Sequence, residues 1–389
     1  MKVLMATTAG SGHFGPILPL GAALLRAGHT VEVAAPRSFV AAVERAGYPY
    51  RLCEDIPPEE YQAAHERRLA NVATLGHAAA AEIFAHLAPR AMFPGVLDAI
   101  DSWRPDLVLR EVGELSSHLA AVLRGVPQAQ VMLGLSAFDD LLLPAIVPYA
   151  DRLRSETGLP PDPDGSAFAA VPSLSQLPLS YEDPSAPGHP EMRRFRAVSA
   201  APAALPAWWP AADLPLVYVT FGSVAPVVPF ASAALRTVVS SLADLPVRLL
   251  VTVGDAGSVD GFPAEAHVER WVPQRDVLAA ASVMVCHGGM GTVLGGLAAG
   301  VPMVVVPQFA DQPENASRVA ALGAGLRVGD FGMVAEAPPP DPAAVRSAVL
   351  RVLEEPPFRE AAGRVAAEIH ALPTADEMVP ELEGLAVRV

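Results

Sequence analysis

Hydrophobic residues in the first 133 positions form two kinds of stretch. Short apolar runs predict strands, and longer amphipathic stretches, several of which end at a glycine, predict helices. The predicted strands cover 3–6, 31–34, 106–109 and 129–133, and the predicted helices cover 16–27, 39–46, 77–87, 92–103 and 115–124. Because the strands are separated by helices, we expect this half of the chain to form a parallel, doubly wound sheet.

The same alternation restarts at residue 216. Predicted strands here cover 216–220, 248–253, 283–286 and 303–306, and predicted helices cover 231–242, 277–280, 291–299, 316–322, 342–354 and 358–370. Residues 155–215 contain many of the chain's 40 prolines, which favours surface loops or a linker because proline cannot donate a hydrogen bond within a sheet. We therefore expect an α/β protein with two Rossmann-like domains, at 1–205 and 213–372, facing a cleft where ligands bind.

The charge balance and the cysteine content narrow the functional class. The 389 residues include 27 Lys and Arg against 42 Asp and Glu, a net charge of −15, which argues against a nucleic-acid partner and against binding to an anionic membrane. The two cysteines, Cys53 and Cys286, are too few and too far apart for a disulfide framework or a CxxC metal site. We expect the first residues to form an apolar strand rather than a signal peptide. We expect a cytoplasmic enzyme.

One long stretch, residues 277–310, contains no Asp, Glu, Lys or Arg and is long enough to cross a membrane. Glycines and prolines interrupt it repeatedly, which fits a strand, a turn, a helix and a second strand better than one continuous helix. A buried βαβ unit is apolar because parallel strands are covered on both faces. We therefore expect no membrane-spanning segment.

The first candidate site is the glycine-rich turn at 10–15, after the first predicted strand. Its glycines fit the dinucleotide fingerprint Gly-x-Gly-x-x-Gly, but the acidic residue required at the end of the second strand is missing, since Glu32 lies inside that strand. Pro16 suits the first position of a helix. His13 is suited to accept a proton near neutral pH. The alternative is a structural histidine that caps the helix or binds the backbone.

A second candidate is Glu111, just past the carboxyl end of a predicted strand. A carboxylate at this edge of a sheet could accept a hydrogen bond from His13, fix its tautomer and stabilise the imidazolium. The alternatives are a solvated loop acid or an ion pair with Arg110. Glu114 and His118 stand four residues apart on the next predicted helix, but the lack of a nearby third ligand argues against a metal site.

The strongest signals follow the predicted strands of the second half. Segment 283–292 has the pattern of a strand, a glycine-rich turn and a helix start, and segment 219–223 runs from a strand into a Gly-Ser turn. Glycines let backbone N–H groups approach an anion, and a helix N-terminus adds positive potential. The turn lacks the lysine of a Walker A loop, which argues against ATP chemistry. Segments 271–274 and 306–312 add an aromatic ring and groups suited to sugar hydroxyls.

Together these motifs resemble those of the family 1 nucleotide-sugar-dependent glycosyltransferases, which have the GT-B fold. That family has a Trp-x-Pro-Gln segment, a His-Gly-Gly-x-Gly-Thr turn and an Asp-Gln pair in its C-terminal half, and an early Gly-His turn in its N-terminal half. The match covers essentially the whole chain. It is closest to the bacterial branch that glycosylates natural products such as polyketides, usually from TDP-activated deoxysugars.

The resemblance implies a role for each matching residue. His13 would be the general base that deprotonates the acceptor hydroxyl, oriented by Glu111, where many members have aspartate. The segment 373–389 would form a C-terminal helix that crosses back onto the first domain. The implied donor-binding residues are Trp271 and Val272 for the base, Ser223, His287, Gly289, Gly291 and Thr292 for the diphosphate, Asp311 and Gln312 for the sugar, and Gly12, Gln274 and Gly288 beside them.

The implied reaction is a direct displacement that inverts the anomeric carbon. It requires no cofactor, because the nucleoside diphosphate sugar is a co-substrate, with TDP expected ahead of UDP. It requires no metal if a helix end and His287 stabilise the charge on the leaving diphosphate. We expect a hydrophobic small-molecule acceptor, bound by side chains of the first domain: Phe14, Phe84, Leu135 and Phe138.

Three other functions remain open at this point. An NAD-linked oxidoreductase is disfavoured by the missing ribose-binding acid. A nucleotide-sugar epimerase of the same fold would turn over the donor without an acceptor. A non-catalytic, glycosyltransferase-like partner protein would not need His13 and the nearby acid. The sequence is compatible with a monomer or a homodimer.

Overall fold

The computed structural model describes residues 1–70, 81–184, 192–197, 202–203, 213–223, 228–329 and 338–387. The chain divides into two compact units. Unit 1 comprises Met1–Leu177, Pro184–Val198 and Leu372–Val389, and unit 2 comprises Pro178–Asp183 and Ser199–Ala371. Each unit is built on its own parallel sheet, so the predicted fold class of two doubly wound α/β domains is confirmed.

The sheet of unit 1 has seven strands. They are β1 (Lys2–Ala6), β2 (Thr30–Pro36), β3 (Tyr50–Cys53), β4 (Leu107–Glu111), β5 (Gln128–Val131), β6 (Ser173–Ser175) and β7 (Arg193–Arg194). Their spatial order is β3-β2-β1-β4-β5-β6-β7, and every neighbouring pair is parallel. The central strands β1 and β4 therefore end side by side, at the sheet edge where ligands bind in doubly wound folds.

Helices cover the sheet of unit 1 on both faces. They are α1 (Ser11–Arg26), α2 (Val40–Arg45), α3 (Pro58–Ala70), α4 (Ala88–Trp103), α5 (Ser116–Arg124), α6 (Ser136–Glu156) and α7 (Ser166–Ala169), with a π-helical turn at Ile83–Leu87 before α4. Strand β1 shows why both faces are apolar, since Val3 and Met5 pack with α1 whereas Leu4 and Ala6 pack with α4. Alternate side chains of a strand point to opposite faces, so β1 contributes to both cores.

Unit 2 repeats this architecture with six parallel strands. They are β8 (Leu216–Thr220), β9 (Arg248–Thr252), β10 (Ala266–Glu269), β11 (Val283–Cys286), β12 (Met303–Val305) and β13 (Gly325–Arg327), in the order β10-β9-β8-β11-β12-β13. The helices are α8 (Pro229–Leu242), α9 (Gln274–Leu278), α10 (Met290–Ala298), α11 (Gln312–Ala321), α12 (Pro342–Glu354) and α13 (Pro356–Ala371). Its main core is rich in valine, which suits strands buried on both faces.

The start of α1 differs from the sequence prediction. The helix begins at Ser11, so Pro16 lies inside it rather than at its first position. Gly10 makes this early start possible, because its φ of +138° is a conformation that glycine adopts at no steric cost. His13 therefore lies in the first turn of α1, directly above the carboxyl end of the sheet.

Several elements were missed by the sequence prediction. β6 and β7 come from the proline-rich stretch that we expected to form only loops, and they are three and two residues long at one edge of the sheet. Proline is tolerated at such an edge because few ladder hydrogen bonds are needed there. The prolines Pro144 and Pro148 disguised α6, which contains both. The predicted helix at 77–87 lies partly outside the described residues.

The C-terminal segment belongs to unit 1. Arg196 donates its backbone N–H to Pro373 and accepts one from Ala375. The last helix, α14 (Val379–Ala386), buries Val379 and Leu382 in the same apolar cluster as α1. None of the helices in the described ranges is long and apolar enough to cross a membrane.

Candidate active site

The candidate site of unit 1 is a hydrogen-bonded pair of side chains. Nδ1 of His13 lies 3.0 Å from Oε1 of Glu111. His13 is held by the first turn of α1, where its backbone N–H donates to Gly10, and Glu111 is the last residue of β4. The His13 side chain is 23% exposed and the Glu111 side chain 0%, so the imidazole reaches solvent while the carboxylate behind it does not. The solvated-acid alternative for Glu111 is thereby wrong.

Glu111 is an ionised carboxylate in a buried setting. Burial raises its pKa, but the charge of His13 and the hydrogen bonds from His13 and Thr8 outweigh that effect, so the pKa of Glu111 lies below its ordinary value. Gly113 also donates its backbone N–H to Oε2, at 2.6 Å. The arrangement can fix the His13 tautomer with Nδ1–H facing Glu111, which leaves Nε2 as the basic nitrogen.

The turn after β4 is held from inside by Arg110. Its guanidinium is fully buried and donates to the backbone carbonyls of Glu111, Val112 and Glu114 at 3.3, 3.0 and 3.2 Å, and to the side chain of Gln130. Burial lowers the pKa of Arg110 to about 10. Arg110 thus binds the backbone of the turn that carries Glu111.

Gly113 is a site residue that sequence reasoning missed. A Cβ at this position would lie 3.0 Å from Oε2 of Glu111 and 3.4 Å from Cε1 of His13. The lack of a side chain at Gly113 allows the turn to pass this close to His13 and Glu111. A glycine two residues after a strand-end acid is a weak signal in a single sequence, because glycine is common in every turn.

The four residues expected to contact the acceptor differ in their surroundings. Phe84 is half-buried, and its ring stacks on the ring of His13 with centroids 5.1 Å apart and planes 19° apart. Phe14 is 4% exposed and belongs to the core of unit 1 rather than to a surface, and Leu135 is also 4% exposed. The side chain of Phe138 lies outside the described residues. Among the three of these side chains that the structure describes, Phe84 is the one that stacks on His13.

Unit 2 has a candidate site of its own, at the turn after β11. His287 follows β11 directly and is 8% exposed, and its ring stacks on Phe221 at 6.1 Å. Two glycines cradle its Nε2 edge, because a Cβ on Gly289 would lie 2.5 Å from Nε2 and one on Gly222 3.1 Å from it. Burial lowers the pKa of His287 to about 4, so the ring is neutral at pH 7 and can donate one N–H.

A helix begins immediately after this turn. Gly289 is the N-cap of α10 and accepts the backbone N–H groups of Thr292 and Val293 at 3.0 Å each. Gly288 has a φ of +90°, and a Cβ there would lie 2.9 Å from Val305, so the tight turn requires glycine. A Cβ on Gly291 would meet open space. The exposed N-terminus of α10 has the positive potential and N–H groups that bind phosphate.

The Trp-Val-Pro-Gln segment leads into α9 beside that helix. Trp271 is 67% exposed and Val272 is half-buried, so the indole face is open to a stacking partner. Gln274 donates its side-chain amide to the carbonyl of Thr292 at 3.1 Å, which ties the start of α9 to α10. Ser223, after β8, is exposed.

Asp311 and Gln312 lie at the start of α11, and they face different partners. Gln312 is 3% exposed, and its Oε1 accepts backbone N–H groups of Gln308 and Phe309 at 2.8 and 3.1 Å, so it holds the preceding turn. Asp311 accepts from Nδ2 of Asn315 at 2.8 Å. Asn315 is fully buried and also donates to the carbonyl of Gly288 at 2.9 Å. Asn315 thus links the turn after β11 to Asp311. The sequence analysis did not identify Asn315 as a site residue.

In the described part of the chain, no group of three or more His, Cys, Asp or Glu side chains could hold a metal ion. Glu114 instead accepts backbone N–H groups of Ser116 and Ser117 at 2.9 and 3.1 Å, and burial raises its pKa. His118 stacks on Phe168 with centroids 4.3 Å apart, and burial lowers its pKa to about 3. Both residues are structural.

Comparison with known proteins identifies the family. The family described as "Erythromycin biosynthesis protein CIII-like, C-terminal domain" matches residues 236–385. The L-demethylnoviosyl transferase of Streptomyces niveus is 31% identical over 337 residues, which are 84% of this chain and 84% of that protein. The TDP-daunosamine transferase DnrS of Streptomyces peucetius is 26% identical over 100% of this chain and 97% of its own length.

The solved structures agree with this assignment. The crystal structure of the glycosyltransferase SnogD from Streptomyces nogalater superposes with a TM-score of 0.77 at 28% identity, covering 99% of each chain. The resemblance inferred from the motifs is confirmed by these matches. The chain belongs to the bacterial natural-product glycosyltransferases of the GT-B fold, which move a sugar from a nucleoside diphosphate sugar to a small molecule.

Proposed function

We propose that this glycosyltransferase deprotonates its acceptor with His13, and that Glu111 holds the imidazole in the basic tautomer. The observation that carries this proposal is the 3.0 Å contact between Nδ1 of His13 and Oε1 of Glu111. A partly exposed imidazole backed by a buried, ionised carboxylate is the arrangement used by general bases near neutral pH.

The transfer step follows from this arrangement. The acceptor O–H gives its proton to Nε2 of His13 while the oxygen forms a bond to the anomeric carbon of the donor sugar. The bond from that carbon to the diphosphate oxygen breaks, the nucleoside diphosphate leaves with the electron pair, and the anomeric centre inverts. Glu111 stabilises the imidazolium that results. General base catalysis of this kind contributes about 10²–10⁴-fold to the rate.

The departing diphosphate is assigned to the turn after β11. The N–H groups at the start of α10 and the neutral imidazole of His287 would donate to its oxygens, with Ser223, Gly289, Gly291 and Thr292 beside them. Donors aimed at the charge that develops on a leaving group lower the barrier without a metal ion. We therefore propose a metal-independent reaction, with Asp311 accepting from a donor-sugar hydroxyl.

TDP is the proposed carrier nucleotide. The exposed indole of Trp271 offers a face on which a pyrimidine base can stack, with Val272 beside it. The printed name of one full-length relative, TDP-daunosamine transferase, specifies a TDP-sugar donor. For the acceptor we propose a hydroxylated, ring-rich small molecule, supported by two full-length relatives that are named 10-deoxymethynolide desosaminyltransferase and aklavinone 7-beta-L-rhodosaminyltransferase.

Calorimetric titration with TDP, UDP and NAD in metal-free buffer tests the donor side. We expect TDP to bind more tightly than UDP and NAD not to bind. Binding of NAD alone would contradict the glycosyltransferase chemistry.

Product analysis by mass spectrometry tests the transfer itself, with TDP-glucose as donor and alizarin as a polycyclic phenolic acceptor, in the presence of a chelator. We expect a glycosylated product in wild type and a rate of product formation about 10²–10⁴-fold lower with His13→Ala. Turnover of donor without acceptor would indicate an epimerase, and equal product from both proteins would remove His13 from the mechanism.

A further inference from the structure

The helix that precedes α4 contains a π-helical turn. At Ile83–Leu87 the backbone N–H of Ala88 donates to the carbonyl of Ile83, five residues back rather than four. A π turn inserts one extra residue and so rotates the neighbouring side chains to a different face of the helix. Such π turns are found frequently at functional sites.

The side chain placed by this turn is Phe84. On one side it packs against a small apolar cluster that contains Ala64, Ile83 and Leu87. On the other side its ring covers the imidazole of His13, with centroids 5.1 Å apart and planes 19° apart. Phe84 therefore contacts both this apolar cluster and the imidazole of His13.

The stacked ring of Phe84 can fix the plane of the His13 imidazole, which the hydrogen bond to Glu111 alone does not fix. The terminal torsion of histidine is broad, and a hydrogen bond at Nδ1 fixes one atom of the ring rather than its plane. An aromatic ring packed nearly parallel to that plane restricts the rocking motion, because tilting the imidazole loses dispersion contacts with the ring.

We propose that Phe84 is a positioning residue for the reaction: its ring sets the plane of the His13 imidazole, so that Nδ1 meets Glu111 and Nε2 is aimed at the acceptor hydroxyl. This inference rests on the proposed role of His13 as the base. It also departs from the expectation that Phe84 simply lines the acceptor site, and the two roles make different experimental predictions.

The direct test is NMR of protein labelled with ¹³C and ¹⁵N in histidine, compared among wild type, Phe84→Leu and Phe84→Tyr. His13 signals are assigned by their loss in His13→Gln. We expect the ring protons of His13 to be shifted upfield by the ring current of Phe84, and the Nδ1–H to exchange slowly with water. Phe84→Leu should move these protons downfield and accelerate the exchange, whereas Phe84→Tyr should match wild type. Unchanged His13 signals in Phe84→Leu would overturn the proposal.

Steady-state kinetics with TDP-glucose and alizarin separate positioning from acceptor contact. Phe84→Leu should lower kcat about three- to tenfold, as expected for loss of an aromatic pair, with little change in the KM for alizarin. In the His13→Ala background the same substitution should have no further effect on kcat. A raised KM with unchanged kcat in both backgrounds would make Phe84 an acceptor contact and overturn the proposal.

Two controls keep the outcomes distinct. Phe84→Met conserves volume without an aromatic ring, so it replaces Phe84→Leu if the latter unfolds in a thermal scan. If His13→Ala retains wild-type kcat, the proposed function fails, while the histidine NMR still decides whether Phe84 orients the His13 ring.

Discussion

Thr8 and Glu111 are joined twice, because the backbone N–H and the hydroxyl of Thr8 both donate to Oε1 of Glu111, at 3.2 and 2.9 Å. The same oxygen is bonded to Nδ1 of His13. Several donors on one buried carboxylate oxygen favour its ionised form. Thr8, two residues after the end of β1, thus helps to keep Glu111 charged, although it is distant from Glu111 in sequence.

Thr8→Val should raise the pKa of Glu111. Valine has the shape of threonine but no hydroxyl, so one of the hydrogen bonds that lower this pKa is lost. The carboxyl ¹³C signal of Glu111 should therefore titrate at a higher pH in Thr8→Val than in wild type. Thr8→Ser keeps the hydroxyl and should titrate like wild type; identical titrations for Thr8→Val and wild type would contradict the role of Thr8.

Gly113→Ala should disturb the pair itself. The new Cβ would stand 3.0 Å from Oε2 of Glu111 and 3.4 Å from Cε1 of His13, so the turn must shift and the contact geometry with it. We expect kcat to fall about 10- to 100-fold, as for small misplacements of catalytic groups, while calorimetric TDP affinity stays the same. Gly15→Ala is the matched control, because a Cβ there meets nothing within 4 Å. Equal kcat in both variants would show that the turn tolerates a side chain.

Much of this site was predictable from the sequence because it lies at strand ends. His13, Glu111 and His287 each follow or end a short apolar run, and the carboxyl ends of parallel strands gather at one edge of a sheet. The pattern of apolar runs therefore predicts that these residues lie at the carboxyl edges of their sheets. The two-domain fold class followed from the same alternation of strands and helices.

The remaining site features depend on tertiary register. Thr8 meets Glu111 only because β1 pairs with β4, and Asn315 meets Gly288 only because α11 folds back over the turn after β11. Neither residue belongs to a local pattern that indicates chemistry. The stack of Phe84 on His13 requires a π-helical turn, which hydrophobic periodicity does not reveal.

Gly289→Ala should weaken nucleotide binding in unit 2. Its Cβ would stand 2.5 Å from Nε2 of His287, so the imidazole must leave the turn and its donor is lost. We expect the Kd for TDP to rise at least about tenfold, the cost of one hydrogen bond to a charged group. Gly363→Ala, in α13 with nothing within 4 Å, should bind TDP like wild type. A wild-type Kd for Gly289→Ala would argue against phosphate binding by His287.

Stability should fall on mild acidification because His118 is buried in its neutral form. Burial lowers the pKa of His118 to about 3 in the folded chain, whereas an unfolded histidine titrates near about 6.5. Between these values only the unfolded chain binds the proton, so folding is weakened as pH falls through this window, by up to about 1.4 kcal/mol per pH unit. Urea unfolding of His118→Asn should show a shallower decline from pH 6.5 to pH 5 than wild type. Parallel declines would contradict a neutral, buried His118.

Asn315→Ala should separate recognition of the donor sugar from recognition of the nucleotide. The Nδ2 group of Asn315 donates to both the carbonyl of Gly288 and the carboxylate of Asp311, so its loss removes this hydrogen bond from Asp311 and leaves a buried carbonyl without this donor. The free energy of unfolding should drop by about 1–3 kcal/mol. Calorimetry should show a greater loss of affinity for TDP-glucose than for TDP, since Asp311 is assigned to the sugar.

Tyr181→Phe is the matched control for Asn315→Ala. The Tyr181 hydroxyl donates to the backbone carbonyl of Asn315 at 3.2 Å, so its removal leaves the hydrogen bond from Nδ2 of Asn315 to Asp311 in place. Its removal should lower stability by about 0.5–1.5 kcal/mol and leave the ratio of TDP-glucose to TDP affinity as in wild type. If Asn315→Ala weakens both ligands equally, Asn315 supports only the turn after β11, and the assignment of Asp311 to the sugar loses its structural argument.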